Sequence, residues 1–166
     1  FHLSKTNSGK GLYILDKSEK LTDDTFEIID VVQANDMVLA SGYISPLETM
    51  KLFGAAKDHG VRKMIVTHPE EFLEDQLKSL TTLGAYMEYN FLSCMPLTAK
   101  ISPMGFSAQI LKAGIEKSVV TTAFGQPVNP PPSEGMRMAI AALLDSGMSP
   151  KNVSSLVKDN PGELLS

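Results

Sequence analysis

Cysteine occurs once in the 166 residues, as Cys94, which excludes an internal disulfide and a thiolate metal cluster and makes a reducing compartment, the cytoplasm, the expected setting. Basic runs are missing as well. Fifteen Lys and Arg stand against 19 Asp and Glu for a net charge of -4, so nothing in the chain matches a row of phosphates and nucleic acid is not an expected partner. Long apolar runs are absent, and 43% hydrophobic and 20% charged residues with a mean hydropathy of -0.01 argue against a membrane protein, a disordered chain or a fibre. The opening FHLSKTNSGKG has neither a basic stretch nor an apolar core, so it does not read as a signal peptide, and a start at Phe1 makes the chain an expected excerpt of a longer one. Neither G-x-G-x-x-G nor G-x-x-x-x-G-K-[ST] occurs, which removes two phosphate-cradling loops.

What is present is a regular alternation. Four runs rich in apolar and β-branched residues, at about 38–43, 63–68, 86–91 and 118–123, are each followed by a stretch with apolar residues at helical spacing. That order is the order of βα units, so the fold class is α/β with four parallel βα units in a single unit over 1–166. The first helix opens at Ser45-Pro46-Leu47-Glu48: Ser45 caps it, Pro46 forfeits no hydrogen bond in the first turn, Glu48 closes a capping box, and Gly60 after His59 suits a left-handed end. The second helix carries Leu73, Leu77, Leu80 and Gly84, the third runs from about Ser102 to Gly114, and the fourth carries Met136, Ile140, Leu143 and Leu144. Ser149-Pro150 and Asn160-Pro161 each read as the start of a further short helix, while Gly11 to Asp16 reads as a short strand or hairpin arm and Thr22 to Ala34 as a helix. An open doubly wound sheet and part of a closed (β/α)8 barrel both accept the pattern; a whole barrel needs roughly 250 residues, so on the barrel reading the chain is about half of one.

Both architectures place chemistry where strands end. Glu88 is the one carboxylate inside an expected strand, on the face of Tyr86 and Asn90 by the two-residue period, and implies either general acid–base catalysis or metal ligation, or else an ion pair or buried network. His68 precedes Pro69, whose ring favours an extended conformation for it; the imidazole reads as a pocket residue or a hydrogen-bonded structural one. Tyr43 has a phenol to donate to a substrate oxygen or an aromatic ring to pack, and Thr67 joins it as substrate-binding. Gln126 and Asn129 lie in a loop stiffened by Pro130, Pro131 and Pro132, so their amides face a substrate or bond within the loop. His59 is expected as a solvated helix cap, His2 as part of an ordinary terminus, Cys94 as an unactivated thiol and the nine methionines as core filler.

Several stretches also carry a resemblance. Lys10 to Asp16, Ala40-Ser41-Gly42-Tyr43-Ile44-Ser45-Pro46, Val66-Thr67-His68-Pro69-Glu70, Gly84 to Glu88, Phe124 to Gly135 with its Gly-Gln-Pro-x-Asn-Pro-Pro loop, and the closing Asn160-Pro161-Gly162-Glu163-Leu164-Leu165 together resemble the C-terminal half of an amidohydrolase-like barrel, close to a bacterial family of metal-dependent-hydrolase relatives. The resemblance implies that the four units are the fifth to eighth of a TIM (β/α)8 barrel whose N-terminal half, with its His-x-His pair, lies outside this chain. It further implies hydrolysis of C–N or ester-like bonds of a small molecule by water activated on a divalent metal, zinc or similar, at the C-terminal ends of strands one, five, six and eight. Carried over residue by residue, the strand-six metal ligand falls on His68, while the strand-five histidine position holds Tyr43 and the strand-eight aspartate position holds Ala123. With those two ligands replaced, a catalytically silent barrel that binds a small molecule or serves as a scaffold stands beside the hydrolase, and a self-contained flavodoxin-like open sheet is the third reading. The expected partners are a small-molecule ligand and, because a half-barrel leaves strand edges unpaired, a second copy of the chain or the missing N-terminal half.

Overall fold

The computed structural model describes residues 12–96, 98 and 100–166. His2, Lys10 and Gly11, named above, lie outside the described residues. The chain falls into two compact units, one made of residues up to Thr67 with Glu71–Ala85, the other of His68–Glu70 with Tyr86–Ser166.

In the first unit, Leu15 and Leu21 form an isolated antiparallel bridge, which is the described part of the expected hairpin arm. Helix α1 (Asp23–Ala34) follows under the Thr22 cap and buries Ile29 and Val32. Strand β1 (Leu39–Ala40) pairs in parallel with β2 (Met64–Thr67), Leu39 opposite Met64 and Ala40 opposite Ile65. Leu39, Met64 and Val66 share the apolar core with Leu52, Phe53 and Ala56 of α2 (Pro46–Asp58), whereas Ala40, Ile65 and Thr67 on the alternate face stay exposed or half-buried. The expected capping box is formed: the Glu48 amide donates to Ser45 Oγ at 3.3 Å and the Ser45 amide to the Glu48 carboxylate at 2.8 Å. His59 is more than a solvated cap, because its Nδ1 lies 3.0 Å from the Asp30 carboxylate and its ring 5.4 Å from that of Phe26. In α3 (Glu74–Thr82) Leu80 is buried, while Leu73 sits at the exposed N-cap.

In the second unit, β3 (Tyr86–Asn90) pairs in parallel with β4 (Ser118–Thr121), Glu88 opposite Val119 and Asn90 opposite Thr121. Met87 and Tyr89 point away from Glu88 by the two-residue period, and the Tyr89 ring meets Phe106 of α4 (Pro103–Ala113) edge-on at 6.3 Å. Phe91 continues this aromatic row, 5.9 Å from Phe106 and 6.5 Å from Phe124, and α5 (Pro132–Asp145) adds buried Ala139 and Leu143. Serine caps α4 and α6 (Pro150–Ser154), Ser102 accepting from the Gly105 amide and Ser149 from the Asn152 amide.

Parallel strands alternating with helices give the α/β class in both units. Two expectations change. Asn160-Pro161 does not begin a separate helix: α6 runs through a π-helical turn (Ser155–Asp159) into α7 (Asn160–Leu165), and the wider turn absorbs the amide that Pro161 lacks. The Asn160 side chain, instead of capping, donates to the carbonyls of Ile115 and Ser118, both at 2.6 Å. The strands are also shorter than their apolar runs. Left-handed residues follow three of them, Gly42 (φ +58°), His68 (φ +61°) and Ala123 (φ +53°), and a 3-10 turn (Phe91–Cys94) follows the fourth. His68 is therefore not extended as Pro69 led us to expect; the chain must swing at once into the 3-10 turn Pro69–Glu71, and histidine is among the residues that tolerate this region.

Candidate functional site

The site-residue expectations separate at the strand ends. In the first unit, Thr67 is taken up by the β1–β2 exit: its amide donates to Ser41 Oγ at 3.0 Å, and its hydroxyl donates to the Gly42 carbonyl at 2.5 Å and lies 3.2 Å from Ser41 Oγ. Those bonds pin the two strands at the point where Gly42 turns left-handed. Tyr43, one residue on, is 66% exposed.

In the second unit, His68 Nδ1 lies 3.2 Å from Oε1 of Glu70, two residues on across the tight turn. Glu70 in turn faces the Tyr89 phenol, which is held well above the ordinary tyrosine range, first by burial and second by the Glu70 charge. Tyr89 is 4% exposed, so near neutrality it is a fixed hydrogen-bond donor beside a carboxylate. Around this pair opens a cavity of about 110 Å³ at the carboxyl end of β3. Its polar lining is Glu70, Tyr89, Asn90, Ser93, Lys100 and Gln109, and Ile101 and Phe106 form its apolar wall. Helix α4 supplies Phe106 and Gln109 because Phe106 packs under the Tyr89 ring, which aims the next helical turn at the strand end.

The other candidates of this unit form local pairs. Glu88 is half-buried and accepts from the Thr121 hydroxyl at 2.8 Å, across the β3–β4 register. Gln126 and Asn129 bond to each other twice: the Asn129 side-chain amide donates to Gln126 Oε1 at 2.6 Å and the Asn129 main-chain amide to the Gln126 carbonyl at 3.0 Å. Cys94 is half-buried, and burial pushes its thiol up, away from nucleophilic character.

The metal reading concerns the donors at the strand ends. A catalytic zinc takes three protein ligands and leaves a position open. Among the described residues no group of three or more His, Cys, Asp or Glu side chains is placed to hold an ion, and Ala123 brings no donor atom.

Sequence reasoning passed over Glu70, Tyr89, Ser93, Lys100 and Gln109. Two signals for them were present. Glu70 follows His68 by two residues inside a quoted stretch, and the strand period already turned the Tyr89 phenol toward the helix side. Ser93 lies in the 3-10 turn and Lys100 in the loop that follows, with no periodicity to betray them.

A family model described as a family of unknown function (DUF6282) matches residues 2–88. Comparison with curated proteins and with solved structures returned no match.

Proposed function

The chain belongs to the DUF6282 family, whose function is unknown, and on the geometry of its strand ends we propose that it binds a small polar molecule in the cavity at the carboxyl end of β3. The observation that carries this reading is the lining itself: a buried phenol held protonated, a carboxylate, an ammonium and two amides around an apolar wall. Open α/β sheets and barrels alike bind ligands at the carboxyl ends of their strands. We read the fold as the second half of a TIM (β/α)8 barrel, related to the amidohydrolases and silent as a catalyst, with Tyr43 and Ala123 standing where metal ligands would be. The half-exposed strand faces, Ala40, Ile65 and Thr67 in one unit and Glu88, Asn90 and Thr121 in the other, favour a covering partner, since parallel strands are normally buried on both faces. A second copy of the chain or the other half of the barrel fills that role. A cytoplasmic setting goes with this reading, supported by the single, half-buried cysteine.

One observation favours a second reading, a hydrolase acting on C–N or ester-like bonds with a divalent metal: the Glu70 carboxylate orients His68 at Nδ1, as carboxylates commonly orient metal-binding imidazoles. Nuclear magnetic resonance on the full chain separates the two. With a panel of small polar compounds, shifts confined to the signals of residues 70, 89, 90, 93, 100 and 109 support binding in the cavity; shifts elsewhere, or none, overturn it. Tight uptake of one zinc per chain, abolished in His68→Ala, would restore the hydrolase.

A further inference from the structure

We propose that the ligand of this cavity is a small zwitterion of the α-amino acid kind, held with its ammonium toward Glu70 and its carboxylate toward Lys100. The inference rests on the binding reading above and adds the charge and size of the occupant. Both signs of charge line one small space, and the Glu70 carboxylate lies 3.2 Å from His68 Nδ1 and not against Lys100. A ligand with a single charge would satisfy one end and set a like charge against the other. A zwitterion meets both.

The remaining lining fits the same class. Gln109 offers a donor to a carboxylate oxygen, and Asn90 offers both a donor and an acceptor. Ile101 and Phe106 present an apolar wall to the rest of the occupant. The volume, about 110 Å³, lies below the roughly 300 Å³ at which pockets for drug-sized ligands begin, so the occupant has few heavy atoms. Few atoms also mean modest affinity, in the millimolar to micromolar range.

The experiment uses the full chain and four matched probes: glycine, acetate, methylammonium and acetamide. Binding is followed by the backbone and side-chain amide signals of Asn90, Ser93 and Gln109. Glycine is expected to bind about tenfold or more tightly than acetate or methylammonium, each of which lacks one charged contact. Glu70→Gln should erase the advantage of glycine over acetate, and Lys100→Gln its advantage over methylammonium, both in variants whose circular dichroism matches the wild type. Binding of acetamide or of one single-charge ion as tight as that of glycine, at these same signals, would overturn the zwitterion while leaving the binding reading in place. Failure of all four probes to move these signals, while larger polar compounds of the earlier panel do, would overturn the size and charge assignment. Failure of every compound would end the binding reading itself.

Discussion

A methyl group at position 135 is the sharpest probe of how the second unit is packed. An ideal Cβ on Gly135 would lie 2.5 Å from Cδ2 and 2.6 Å from Cε2 of Phe124, and 3.2 Å from its Cγ, so the whole ring edge occupies the space. Phe124 is 4% exposed and packs against Phe91, which meets Phe106 edge-on, so the ring cannot move without disturbing the row behind it. Overpacking of this kind costs about 1–3 kcal/mol. Against that, replacing glycine by alanine inside a helix favours folding by about 1 kcal/mol. The net expectation for Gly135→Ala is a loss of about 0–2 kcal/mol, and a loss of 1 kcal/mol lowers Tm by about 2–4 °C in a chain of this length. The decisive assay is a double-mutant cycle by urea unfolding in the background of Phe124→Leu, where the ring edge is gone. There Gly135→Ala should be neutral or stabilising by up to about 1 kcal/mol, which makes the coupling between the two sites positive. An equal loss in both backgrounds, or a full stabilisation in the wild type, would refute the contact as the reason for glycine.

Asn160→Ala removes a side-chain amide, 6% exposed, that donates to two main-chain carbonyls. It should lower the unfolding free energy by about 1–3 kcal/mol, read by urea unfolding, since the buried Ser118 carbonyl loses this donor while the Ile115 carbonyl keeps the Ser118 amide at 3.2 Å. Alkaline titration addresses Tyr89. Its phenol is raised in the folded state by burial and then by Glu70, so its contribution is complete below the unfolded value of 10.0 and is lost as pH climbs from there through the folded value. Stability measured by thermal unfolding should decline above pH 10 in the wild type and decline less steeply in Tyr89→Phe; identical slopes would contradict the buried, acid-facing placement. Tyr86, also raised chiefly by burial, supplies the part of the decline that remains in that variant.

The legible part of the fold was local. Ser45, Pro46 and Glu48 stated a helix start that needs no distant partner, and Ser102 and Ser149 did the same. Strand limits were less legible, because the apolar runs continue past Ala40, Thr67 and Thr121 while the backbone turns; hydropathy records burial, and Phe124 and Thr122 are buried without being in a strand. At the site, Glu88, Gln126 and Asn129 are each engaged by a neighbour from their own element or register: Glu88 by Thr121, and the two amides by each other. What could not be seen was convergence. Glu70, Tyr89 and Gln109 meet because a tight turn, a strand period and an aromatic contact act together, and no spacing in the chain encodes their meeting.

The sharp left-handed exits from the strands restrict evolution as well as shape. Besides glycine, the side chains that settle most readily at such a φ are Asn, Asp and His, which all bring oxygen or nitrogen donors with them. Drift at positions 68 and 123 is thereby channelled toward groups able to coordinate or hydrogen-bond, and branched hydrocarbons are kept out. Exchanging the methyl at 123 for a carboxylate would ease the main chain while introducing a ligand atom, so new chemistry is within reach of a one-residue step that the backbone already accommodates.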